Sequence, residues 1–322
     1  MSTARLTSIV ALSTVLALPV QALAANVKAA RVIATTINTT TGVGEVRIFQ
    51  LGGILEKKLT DSRWSQGVHA CLSAHGELAV LGNVLTQHLF IYDRNDVLRN
   101  AFLIDVSGTP VPPNSPGIRS IAYGPYGTIF AVGGWSSATI NYLFEIDPET
   151  EETLNAWNLD VIAGRPFEPS RMILARDPVT GGDSLYVTEW SSRGLGLAEI
   201  LVIDPKTLGV TQTITTPVAG PDPLGAVAVT PGGSILVGDF NGGTLWISDK
   251  TRTTWSQLQS CPGAPGAFSI LAIAYSFAWV DAGACGASPG DIWQVEIATG
   301  KVRATKINLG SGSGALDVLV RH

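Results

Sequence analysis

Charge is scarce in this sequence. Of its 322 residues only 15% are Asp, Glu, Lys or Arg, the formal net charge is -5, and Lys and Arg nowhere gather into a run. No positive field exists to draw a phosphate backbone, so no nucleic acid is expected as a partner. Histidine and cysteine are scarcer still. The 4 His and 3 Cys contain neither a His-x-x-x-His nor a Cys-x-x-Cys spacing, which removes the common zinc sites. A P-loop is also missing. The glycine pairs at 52–53, 133–134, 181–182, 232–233 and 242–243 fall at strand ends, where they make turns rather than phosphate cradles. Beyond residue 24 no apolar run reaches the roughly eighteen residues that a membrane-spanning helix needs.

Glycine and proline, by contrast, are plentiful at 35 and 18 residues, and 45% of the chain is hydrophobic. That balance suits many short strands joined by turns, with enough apolar material for a sizeable core. The chain opens with Arg5, the apolar stretch Ile9 to Val20 and the small-x-small sequence Ala22-Leu23-Ala24. This pattern predicts a signal peptide over residues 1–24 and a secreted or periplasmic protein over 25–322, with no membrane span once the leader is removed.

The stretch Ser184 to Thr216 shows how the rest is organised. Alternating apolar and polar residues in Leu185 to Glu189, the β-branched run Glu199 to Asp204 and the alternation from Val210 to Thr216 read as three strands. Gly-containing and Asp-Pro-Lys-Thr turns separate them. Equivalent units recur along the chain. Four strands are expected over 68–73, 77–82, 88–93 and 97–104; over 118–123, 128–133, 142–147 and 152–159; over 225–230, 234–239, 244–249 and 254–259; and over 268–274, 277–281, 291–297 and 302–309. Arg171 to Arg176 supplies the first strand of the unit that contains Ser184. The first unit has only three, over 31–37, 45–51 and 54–60, and Ala315 to Val320 stands alone at the other end. The incomplete first unit and the solitary last strand complete each other. The predicted fold is therefore all-β, a single-domain six-bladed β-propeller closed by the C-terminal strand joining the N-terminal blade.

The repeats AVAVTPGGSILVGDF (Ala226 to Phe240), FEIDPET (Phe144 to Thr150) and LVIDPKT (Leu201 to Thr207) resemble NHL- or YVTN-type propeller repeats. The wider resemblance is to the six-bladed group of SMP-30/gluconolactonase and strictosidine-synthase-like proteins. In gluconolactonase-like members, that resemblance implies a divalent cation, calcium or another, in the central channel, held by an early Glu with Asn and Asp from later blades. The first inter-blade link here reads Trp64-Ser65-Gln66-Gly67, without the early Glu-Gly-Pro of those enzymes.

Strand reversal places the candidate site. In an antiparallel blade the inter-blade links and the second-to-third-strand links lie on one face of the ring, and the remaining links on the other. The first face collects Trp64, Asn114, Glu168 and Asp222 from inter-blade links, and Asn83, Trp135, Glu189, Trp190, Asp239 and Asp281 from links within blades. Trp64, Asn114, Trp135, Glu168, Glu189, Trp190, Asp222 and Asp239 are the binding candidates, because aromatic faces beside amides and carboxylates suit a small polar ligand or a protein partner. Glu168 and Asp222 read as exposed loop positions and are the candidate metal ligands. His69 falls in an inner strand, where a hydrogen-bonded structural role or a place on the channel wall is open to it. The same reversal brings Cys261 and Cys285 to one face, where they are expected to form a disulfide in an oxidising compartment, leaving Cys71 buried and free. Two functions follow: an exported, monomeric binding propeller that uses the inter-blade-link face, or a metal-dependent hydrolase or lyase with Asn114 as ligand or substrate contact.

Overall fold

The computed structural model describes residues 30–322 except 39, 65–67, 83–87, 108–116, 134–140, 192–195, 220–223, 262–267, 269–270, 282–284, 286–290 and 310–312, and except the side chains of 191, 304–306 and 313–315. The leader expected over 1–24 lies outside these residues. Six four-stranded antiparallel sheets make up the fold. Blade one contains β1 (Arg31–Asn38), β2 (Gly44–Gln50) and β3 (Leu55–Leu59); blade two β4 (His69–Leu72), β5 (Leu78–Leu81), β6 (His88–Tyr92) and β7 (Leu98–Leu103). Blade three contains β8 (Ile118–Tyr123), β9 (Ile129–Gly133), β10 (Tyr142–Asp147) and β11 (Glu152–Asn158); blade four β12 (Glu168–Arg176), β13 (Asp183–Ser191), β14 (Leu197–Ile203) and β15 (Val210–Ala219). Blade five contains β16 (Leu224–Val229), β17 (Ile235–Asp239), β18 (Thr244–Ser248) and β19 (Trp255–Ser260); blade six β20 (Leu271–Ala274), β21 (Phe277–Asp281), β22 (Asp291–Glu296) and β23 (Val302–Asn308). The last strand, β24 (Ser313–Arg321), is the inner strand of blade one and pairs antiparallel with β1 from Arg31↔Arg321 to Asn38↔Ser313, as the complementary ends predict.

Successive side chains of a strand point to opposite faces of its sheet, and here both faces are covered by neighbouring blades. Ile33 packs toward blade two, whereas Val32 and Ala34 pack toward blade six. Six apolar clusters result, one in each gap between adjacent blades. This is why the middle strands read as unbroken apolar runs, such as Ile129 to Val132, while outermost strands such as β3 alternate weakly and stay exposed.

A departure from the sequence reading follows β11. Leu159, expected as a strand end, instead begins a short helix, α1 (Leu159–Ala163), because the Asn158 side chain accepts hydrogen bonds from the Asp160 and Val161 N–H groups. Gly164, at φ 69°, ends it in the left-handed conformation.

One turn recurs where the third strand of a blade passes into the fourth. Asp93, Asp147, Asp204 and Asp249 each accept backbone N–H groups of their own turn. Those bonds hold the first three carboxyls below the ordinary aspartate range, and the Thr251 hydroxyl is the main influence that does so for Asp249. A carboxyl whose pKa is lower folded than unfolded stabilises the fold above its unfolded value, and that contribution is lost as pH falls through the folded value. The melting temperature is therefore expected to be level down to about pH 4 and to fall progressively below it, as thermal melts across the acid range would record. A decline beginning nearer neutrality would point to other groups.

The Cys261–Cys285 disulfide is present, with 5.2 Å between Cα atoms and a sequence separation of 24. It joins the segment after β19 to the segment after β21, against the apolar cluster between blades five and six. Cys71 is free and buried, and burial pushes its thiol pKa up, so it stays protonated and unreactive.

Candidate functional site

Blades three, four and five each send one large side chain to the inter-blade-link face. Trp190, near the end of β13, is 37% exposed. The Arg119 guanidinium carbon of β8 lies 4.9 Å from one Trp190 ring centroid, and the Phe240 ring of the β17–β18 turn lies 6.1 Å from it. Arg119 is held in turn by Glu168: Nη2 donates to Oε1 at 3.0 Å, and Nη1 donates to the Pro169 carbonyl at 3.3 Å. Burial presses the guanidinium below its ordinary pKa and the Glu168 charge opposes that shift, so the pair is a matched ion pair with little access to water.

Several sequence expectations need correction here. Glu168 is no exposed loop carboxylate. It is the first residue of β12, 5% exposed, with its charge engaged by Arg119. Glu189 is also buried, and it takes both guanidinium nitrogens of Arg165, which reaches Glu199 as well. Trp64 is 1% exposed and packs edge-on against Phe90 between blades one and two. A Cβ on Gly82 would come within 2.5 Å of its ring, so the indole fills a packing slot and presents no binding face. Asp239 Oδ1 accepts from the Gly242 N–H and shapes its own turn. Asn114, Trp135 and Asp222 lie outside the described residues. Of the eight binding candidates, the structure presents Trp190 on an exposed aromatic platform and commits Trp64, Glu168 and Glu189 to internal contacts.

The metal implied by the gluconolactonase resemblance does not fit the described residues. No three His, Cys, Asp or Glu side chains among them converge, and a cation set on Glu168 would face the Arg119 guanidinium.

Deeper, toward the ring axis, His69 meets two residues that the sequence does not single out, Arg171 and Asp317. Arg171 of β12 reaches across the channel: Nε donates to the Gly225 carbonyl at 3.3 Å and Nη2 to the Leu316 carbonyl at 3.0 Å. Its Nη1 lies 2.6 Å from His69 Nδ1 and 3.3 Å from Asp317 Oδ1. Asp317 Oδ2 in turn lies 2.9 Å from His69 Nδ1 and accepts the Ala70 N–H at 3.0 Å. An unprotonated Nδ1 accepts from Arg171 and a protonated one donates to Asp317, so the imidazole is held in either form. His69 is thus hydrogen-bonded, the first of the two roles its sequence position left open, and its partners Arg171 and Asp317 are the side chains that face the channel. One signal was available in the sequence. His69, Arg119, Arg171 and Asp317 are polar residues inside otherwise apolar inner strands, and the channel is the side of an inner strand that no second sheet covers.

These features define a six-bladed β-propeller whose two faces are chemically distinct. No protein-family model matches the sequence, and a search of curated proteins finds no match. Solved structures do match. A chain in the crystal structure of a nidogen/laminin complex superposes with a TM-score of 0.62 at 10% identity, covering 90% of this chain and 98% of that one. A protein of unknown function from Bacteroides caccae gives 0.57 at 11% identity, covering 90% and 98%. The Cps50 (Swd1) β-propeller domain of Myceliophteria thermophila gives 0.50 at 10%, covering 86% of each. At these identities the likeness establishes the architecture, and function has to be argued from the chain's own residues.

Proposed function

We propose that this chain is an exported binding propeller that holds a protein partner on the face carrying the inter-blade links, and makes or breaks no covalent bond there. The observation that carries the reading is the half-exposed Trp190, backed by Arg119 and Phe240 from the two neighbouring blades. Trp and Arg held rigidly side by side are the residue types that dominate binding energy at protein interfaces. Export is supported by the leader pattern over 1–24 and by the Cys261–Cys285 bridge, which suits an oxidising compartment. The nidogen/laminin neighbour is likewise a protein found in complex with another protein. The hydrolase reading lacks comparable support, since Glu168 is already committed to Arg119.

Affinity capture with the full chain from the exported fraction of its own cells, followed by titration of the captured protein, tests the reading. Trp190→Ala is expected to weaken binding at least about tenfold while the melting temperature stays within a few degrees of wild type. Undiminished binding by a folded Trp190→Ala variant would overturn it.

A further inference from the structure

The six inner strands β4, β8, β12, β16, β20 and β24 are each the edge of their sheet, and all run from the inter-blade-link face toward the other face. Between them lies an axial cavity of about 560 Å³, within the usual range for a small-molecule site. Its wall carries small residues, among them Ala70, Ala122, Ala175, Ala226 and Ala272, interleaved with larger apolar ones such as Met172, Leu174 and Val227. Arg171 and Asp317 line its inner end, and Ser73, Ala74, Gly124 and Pro125 line the other, where the turns between first and second strands lie. Exposure rises in the same direction, from buried Ala70 to exposed Ala74. The cavity therefore opens on the face opposite Trp190. Most of the strands contribute four or five lining residues, which gives it a depth of about 13–16 Å.

We infer that this pocket binds an uncharged, hydroxyl-rich small molecule of mono- or disaccharide size. The floor offers no net charge to hold an ion, because Arg171 and Asp317 neutralise each other there. Of the five guanidinium N–H groups of Arg171, the one on Nε is directed at the Gly225 carbonyl and one on Nη2 at the Leu316 carbonyl, while Nη1 faces His69 and Asp317, which leaves one on Nη2. Asp317 Oδ2 accepts the Ala70 N–H, and the His69 Nδ1 proton when that nitrogen carries one, while Oδ1 faces only Arg171 among the described contacts and keeps a lone pair. A spare donor thus sits beside a spare acceptor, and a hydroxyl satisfies both because it gives and takes a hydrogen bond. The wall repeats that demand, since strand edges offer both N–H and C=O groups and alanine-sized side chains leave them within reach. A hydrocarbon would strip those groups of water without replacing it.

Isothermal titration of the full chain with glucose, N-acetylglucosamine and maltose tests this, with octanoate, putrescine and a capped tetra-alanine amide as the charged, apolar and peptide comparisons. At least one saccharide is expected to bind saturably at one site and more tightly than any comparison molecule. Ala175→Phe and, independently, Ala272→Phe should each weaken that binding at least tenfold, with folding checked by thermal melt. Trp190→Ala should leave it unchanged, which separates this pocket from the partner face. The inference fails if no saccharide binds, if octanoate, putrescine or the peptide binds most tightly, or if saccharide binding survives both wall substitutions in folded protein.

Discussion

Removal of residues 313–322 is expected to leave a chain with no cooperative unfolding transition. Those residues hold β24, the only inner strand blade one possesses, and its loss bares the β1 edge from Arg31 to Asn38. Unpaired strand edges beside exposed apolar surface invite pairing with other chains. Val32 and Ala34 lose their cover from Val318 in the gap to blade six, and Arg171 loses both Asp317 and the Leu316 carbonyl. The ion pair of Arg321 with Asp96, 2.6 Å long, is lost too, and with it a link from blade one to blade two. Circular dichroism and calorimetry of the truncated chain should show a broad, low-enthalpy transition or aggregation. Adding a peptide of residues 313–322 during refolding should recover part of the native signal, as strand addition to an open edge does. A truncated chain that keeps the wild-type melting temperature contradicts ring closure.

Arg252→Ala is expected to be the most damaging single substitution, costing about 3–5 kcal/mol. Arg252 lies in the turn before β19 with φ 63°, and its side chain and that of Asp177 are 1% and 2% exposed. All five of its N–H groups are placed. Nη2 donates to Asp177 Oδ1 at 2.7 Å and to the Tyr186 hydroxyl at 3.1 Å; Nη1 donates to Asp177 Oδ2 and to Gln212 Oε1; Nε donates to the Gly233 carbonyl. Burial, the largest single influence, would raise the Asp177 carboxyl, but the hydrogen bond and charge of Arg252 together with the Val179 N–H outweigh it and hold the group below its ordinary value. Truncating the arginine leaves a buried carboxylate without its counter-ion in the gap between blades four and five. The double variant Arg252→Met with Asp177→Leu should be markedly more stable than Arg252→Ala, because the charge is then removed together with its partner. Urea unfolding of the three proteins checks both statements, and a loss under about 1 kcal/mol for Arg252→Ala would show that the pair is solvated after all.

The strand pattern and the ring closure were legible because both are written locally. Apolar runs such as Ile235 to Val237, and Asp-led turns such as Asp204 to Thr207, specify strand and reversal within a few residues. Counting reversals also placed Cys261 near Cys285, because the side of the ring on which a link falls depends only on strand number. The site was far less legible. Arg119 meets Glu168 across 49 residues, Arg171 meets His69 across 102, and His69 meets Asp317 across 248, so each carboxylate or imidazole was visible while the group neutralising it was not. Glu168 therefore read as a free ligand when it is half of an ion pair. Trp64 read as a binding aromatic because a link residue beside Ser and Gln carries no mark of the slot between Gly44 and Gly82 that receives it. The helix at Leu159 was hidden for a different reason: five residues are too few for a helical period to stand out from a strand end.

The central claim is that the ring works as a binder through its inter-blade-link face. Its most direct test is the affinity of the captured protein partner for Trp190→Ala measured beside its affinity for Ala175→Phe, with both variants folded. The account predicts a loss of at least about tenfold for Trp190→Ala and wild-type affinity for Ala175→Phe, whose substitution lies in the pocket open to the opposite face. The reverse pattern, or equal loss in both, would contradict it.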